Sequence, residues 1–78
     1  MTFNEQKKII DDLLADPYFQ KALEEDIGKI KRVTVNWDED LLLFESDEKY
    51  FRTSIRATIM AALELQAMTN AQPGQHLH

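Results

Sequence analysis

The stretch Tyr50–Asn70, YFRTSIRATIMAALELQAMTN, has more apolar surface than a chain of this size can hide, and that constrains everything else. At ~100° per residue its apolar side chains spread well beyond one stripe. Phe51, Ile55, Ile59, Ala62 and Leu63 form one face, and Ala57, Ala61, Leu65 and Met68 form an adjoining one. A surface helix needs an apolar arc of only about 100° to rest on its own core. One face is therefore expected on the protein's own sheet and the other against a partner. Met60 and Met68 are adaptable contact residues on this helix, and the width of the arc places Met68 at the interface.

The chain has 78 residues and no cysteine. A domain so short buries only a little over ~60% of its unfolded surface. Without a disulfide or a thiolate metal site to staple it, self-association is a common remedy. The expectation is one interaction domain over residues 1–70 and a flexible tail over residues 71–78, in a homo- or heterodimer.

The first helical signal is a capping box, Thr2 with Glu5 three residues later, with Asn4 as the alternative cap. Ile9, Ile10, Leu13 and Leu14 follow at helical spacing, and the helix is expected to end near Ala15. Asp16–Pro17 opens a second segment with a good cap and a proline whose missing N–H costs nothing there. Its apolar side is Tyr18, Phe19, Ala22 and Leu23, and Gly28 stops it. Glu24, Glu25 and Asp26 sit where the helix dipole disfavours them, so this segment reads either as a short helix or as an irregular connection.

Ile30–Trp37 alternates as a half-buried strand does, with Val33, Val35 and Trp37 on one face. Asp38–Glu39–Asp40 is a polar turn, and Leu41–Glu45 is the return strand of a hairpin. Ser46 or Asp47 is expected to cap the long last helix. The predicted fold class is α+β: an antiparallel hairpin packed on two long helices, in the order α, short α, β, β, α, with its sheet possibly extended by dimerisation. A lone two-stranded hairpin is marginal in water, and its open edges invite pairing with another chain.

Nothing here points to catalysis, and a non-enzymatic protein without a cofactor is expected. His76 and His78 form an H-x-H pair with no third ligand near them in sequence. Three acids in a turn read as solvated turn formers. The two glycines stand far apart, so there is no phosphate loop. The net charge of −5 argues against an autonomous nucleic-acid binder. Six of the nine basic residues nevertheless fall between positions 29 and 56. Lys31, Arg32, Arg52 and Arg56 are the candidate RNA contacts within a larger assembly, although acidic neighbours and a core role for Trp37 explain them as well. No apolar run approaches the ~20 residues of a membrane span. MTFNEQKKII lacks a signal peptide's apolar region, so a cytoplasmic protein is expected.

The run VTVNWDEDLLLFESDEKYFRTSIRATIMAALELQAM resembles the second half of the small Pcc-type subunit of the KEOPS complex. That family reads strand, turn, strand, acidic residue, then a long helix opening with an apolar residue and Arg, where Phe51–Arg52 stands here. Ile9–Asp16 is similar to the end of its first helix. The family usually begins with a strand, for which Met1–Phe3 is too short. The resemblance implies a non-catalytic subunit that supports threonylcarbamoyl modification of adenosine in transfer RNA. It would pair with a Pcc-type subunit through Val33–Trp37 or Leu41–Glu45. It would offer the Ala57–Ala61–Leu65–Met68 face, with Ile9 and Leu13, to the catalytic KEOPS subunit, and touch transfer RNA only indirectly. The competing expectation is a small acidic inhibitor or immunity-type protein that binds a basic partner.

Overall fold

The computed structural model describes residues 1–71, with side chains through Met68. Helix α1 spans Phe3–Ala15 and α2 spans Pro17–Ile27; strands β1 (Arg32–Asn36), β2 (Leu41–Glu45) and β3 (Tyr50–Ser54) follow, then helix α3 (Ile55–Ala71). His76 and His78, and all of the expected tail beyond Ala71, lie outside the described residues.

The helix starts follow the local chemistry. Thr2 Oγ1 accepts the Glu5 N–H at 3.2 Å, and Glu5 Oε1 accepts the Thr2 N–H at 2.7 Å. This is the reciprocal box, and it satisfies two otherwise free donors. These hydrogen bonds hold the Glu5 carboxyl below its ordinary range. The Asp16 side chain caps α2 through the Tyr18 N–H at 2.9 Å, with Pro17 in the first turn. Gly28 ends α2 at φ 89°, a conformation that L side chains avoid. Glu24, an acid near the unfavourable end of the helix, accepts the Ile30 N–H at 2.9 Å. It thereby holds the chain as it turns toward β1, and α2 is a full helix of 11 residues.

The sheet is antiparallel in the order β1-β2-β3. The register sets Val33 beside Phe44 beside Phe51, and Val35 beside Leu42 beside Thr53. Residues directly opposite share a face, so these six point the same way. The helices cover that face. Ile10 of α1, Leu23 and Ile27 of α2, and Ile55 and Ile59 of α3 bury themselves with Leu42 and Phe44. The Phe19 and Phe44 rings meet edge to face at 5.6 Å. Trp37 packs on the margin of this core and against the Phe3 ring at 4.9 Å. Val33 points inward by register but stays exposed, on an edge strand.

The α+β class and the hairpin on helices are as expected, and the strand count differs. Tyr50–Ser54, read as the opening of the long helix, is a third strand. The cause is visible in the residue types. Tyr, Phe and Thr favour strands, and the run alternates, Phe51 and Thr53 inward against Tyr50, Arg52 and Ser54 outward. Ser46 consequently caps no helix. Its N–H donates to the Lys49 carbonyl at 2.9 Å, and its Oγ accepts the Lys49 N–H at 3.0 Å, closing the β2–β3 turn. Strand β2 is central, with both sides paired, so Leu41–Glu45 has no edge to offer another chain; β1 and β3 do.

The cap of α3 comes from two places. Ser54 Oγ accepts the Ala57 N–H at 3.1 Å. From the far hairpin turn, Asp40 Oδ1 accepts the Arg56 N–H at 2.8 Å, the Asp40 carbonyl accepts the Ile55 N–H at 3.3 Å, and Asp40 Oδ2 accepts the Ser54 hydroxyl. Asp40 sits at φ 55°, a left-handed position that Asp tolerates better than most residues. It ties the β1–β2 turn to the start of α3, which sets the direction in which α3 leaves the sheet.

Candidate partner-docking surface

Helix α3 crosses the sheet with two unlike sides. Ile55 and Ile59 are buried and Ala62 is half-buried, so this side belongs to the core. Leu63, expected with them, lies exposed at the margin. On the other side Ala57 and Ala61 are exposed, Leu65 is 64% exposed and Met68 61%. Met60 is exposed as well. The charged residues along Ile55–Met68 are Arg56 and Glu64. A helix that is apolar nearly all round is one that normally sits inside something larger.

Beside this face runs a groove of about 320 Å³. One wall is α3, with Ala57, Ala61 and Leu65. Phe51 and Thr53 of β3 and Leu42 of β2 form the floor, and Leu13 of α1 and Phe19 of α2 stand opposite. Phe51, on the flanking strand β3, stays 41% exposed there. The alanines keep the wall low. Its volume is at the lower end of the range for ligand sites, but it is shallow and mostly apolar, its polar side chains being Thr53 and Thr58, the latter already bonded to the Ser54 carbonyl. Its form suits a helix or an extended apolar segment.

Of the expected partner contacts, Leu13, Ala57, Ala61 and Leu65 come together in this groove. Met68 continues the α3 face beyond it. Ile9 does not line the groove itself: it packs against the core and lines an adjoining cleft, which shares Leu13 and Ala62 with the groove. Phe19, Phe51 and Thr53 were not expected in the site. Only the alternation at 50–54 carried that information for β3. For Phe19 the helical spacing gave the apolar side of α2 but not what lies across from it.

The expected basic patch is divided. Arg32 and Arg52 share the outer sheet face, on flanking strands either side of β2. Arg32 Nε lies 3.6 Å from Glu45 Oε1, and Leu43 faces Arg52. Lys31 precedes β1, its N–H bonded to the Glu45 carbonyl at 2.7 Å. Arg56 leaves the sheet with α3.

A second cavity, about 290 Å³, lies at the α3 start between Trp37, Asp38, Asp40 and Arg56. Asp40 there has its carboxyl held below the ordinary value of 3.8, first by the Ser54 hydroxyl and then by the Arg56 N–H. A general acid working near neutrality needs the opposite shift, and the hydrogen bonds already assign Asp40 to the cap. Among the described residues, no group of three His, Cys, Asp or Glu is placed to hold a metal, and no helix is long and apolar enough to cross a membrane.

No family model matches the chain, and neither a curated protein nor a solved structure matches it. The functional reading therefore stands on the molecule's own surfaces.

Proposed function

We propose that this protein is a non-catalytic interaction subunit that docks a protein partner through the exposed face of α3 and the groove over β3. The observation that carries the proposal is the apolar surface of Phe51, Ala57, Ala61, Leu65 and Met68, left exposed by the described residues of the chain. Burying apolar area is the main favourable term in association, and small side chains allow a second helix to approach closely.

In the form that the family resemblance gives it, the partners are a Pcc-type subunit and the catalytic subunit of KEOPS, and the setting is a cytoplasmic complex acting on transfer RNA. The exposed α3 face supports this form. The strand order does not: Phe51–Arg52 stands in β3 and not at the head of a long helix, and the third strand follows the hairpin instead of preceding α1.

The test compares the natural chain with Leu65→Asp for co-purification with those two subunits. The proposal expects capture by the natural chain that persists at high salt, loss with Leu65→Asp, and an unchanged circular dichroism spectrum. Melting of the whole fold would place Leu65 in the core. A second reading, an acidic inhibitor of a basic partner, is favoured by the approach of the α2 terminus to the β2–β3 turn. This brings Asp47 and Glu48 beside Ile27, Gly28 and Lys29, one residue beyond Asp26 at the acidic end of α2. Binding through those acids would collapse as salt is raised, because ~10 Å screening at 0.1 M acts on exposed charges.

A further inference from the structure

We infer, on the reading of α3 as a docking face, that its occupant is a second copy of this chain, set antiparallel about a two-fold axis passing by Ala61. The face reads Ala57, Ala61, Leu65 in steps of four. At ~100° per residue, Ala57 and Leu65 lie about 40° to either side of Ala61. With the helices crossed at about −50°, so that their i, i+4 rows run parallel, a two-fold axis at Ala61 lays each Leu65 over the other copy's Ala57 and sets Ala61 against Ala61. Each large side chain then meets a small one, as ridges meet grooves, and the same patch serves both copies. A parallel arrangement would set Leu on Leu and leave the alanines facing a gap.

The charges add little to this register. The two copies of Glu64 stand on the same flank of the seam, both exposed, and the neutral Thr58 lies on the opposite flank. Arg56 lies well round the helix from the seam. Phe51, Leu65 and Met68 leave on the order of 300 Å² of side chain in water per copy. Doubled by the axis and joined by Ala57, Ala61 and the rims, the contact approaches the ~1,000 Å² at which specific interfaces begin. The result is a weak, concentration-dependent dimer.

Because the chain has no cysteine, single cysteines report the register directly. Sedimentation of the natural chain should show a mass rising toward twice 9.1 kDa with concentration, and Leu65→Asp should weaken dimerisation at least ~100-fold. Under mild oxidation Ala61→Cys should cross-link to itself. Ala57→Cys alone should not, since its copies lie about 12 Å apart along the axis, but it should cross-link when mixed with Leu65→Cys. Efficient self-cross-linking of Ala57→Cys would overturn the antiparallel register. A natural chain that stays monomeric at millimolar concentration overturns the second copy as occupant. If Leu65→Asp then still loses a different protein partner, the docking proposal survives alone. If the Ala61→Cys thiol of that monomer is shielded until residues 72–78 are removed, the occupant is the chain's own C-terminal segment. If Leu65→Asp unfolds the monomer, both proposals fail.

Discussion

The two sides of α3 should separate cleanly in stability measurements. Ile59 is 7% exposed and Leu65 is 64% exposed. Ile59→Ala removes a buried side chain and leaves a cavity between α3 and the sheet, which costs roughly 2–5 kcal/mol. Leu65 keeps only about a third of its surface from water, so of the ~1.5–3 kcal/mol for full burial it loses roughly 0.5–1. Alanine's better helix propensity returns a few tenths of that in both variants. A domain of this length has on the order of 4–12 kcal/mol in total, so the first change threatens the fold and the second does not. Urea denaturation followed by far-ultraviolet circular dichroism should show the midpoint falling steeply for Ile59→Ala and slightly for Leu65→Ala, with similar slopes. In thermal melts the shifts should be on the order of 15 °C and under ~8 °C. The measurement belongs at low micromolar concentration, where self-association adds little. Equal losses for the two variants would refute the reasoning, because Leu65 would then belong to the intrachain core and no free docking face would remain.

Three further outcomes follow from the same geometry. Asp40→Ala and Ser54→Ala should each destabilise the start of α3, and the double variant should lose less than the sum because the two side chains share one hydrogen-bond network; thermal melts of the four chains check this. The folded Asp40 carboxyl lies below its ordinary 3.8, so its contribution is complete above about pH 4 and fades as pH falls through the folded value; acid titration of the natural chain should show this fading, and Asp40→Asn should show a smaller one, the part that Glu5 contributes. Gly28→Ala should cost roughly 1–3 kcal/mol by urea denaturation. The reason is backbone conformation and not crowding: φ is 89° and an added Cβ would find Ser46 no closer than 3.9 Å.

Much of the local structure was legible along the chain because its causes are local. The Thr2–Glu5 box, the Asp16–Pro17 start and the Gly28 stop each act within three or four residues, and the alternation of Val33 and Val35 needed only the pleat of a strand. The two-sidedness of the last helix was also legible, since excess apolar arc is a property of spacing. The boundary at Ser54 was not. Phe51 and Thr53 fit a helical face and a strand face equally well, and the choice falls to β2, whose free edge offers five residues a ladder of backbone partners.

What the sequence determined by itself is that this chain makes capped helices, a hairpin and a surplus of apolar helix surface. Only the tertiary structure decided that the hairpin becomes a three-stranded sheet, that Asp40 reaches fifteen or so residues along the chain to aim α3, and that the surplus gathers beside Phe51 in one groove. Caps and periodicities are set by neighbours within a turn or two. Strand pairing and grooves are set by residues far apart in sequence, whose meeting no local pattern records.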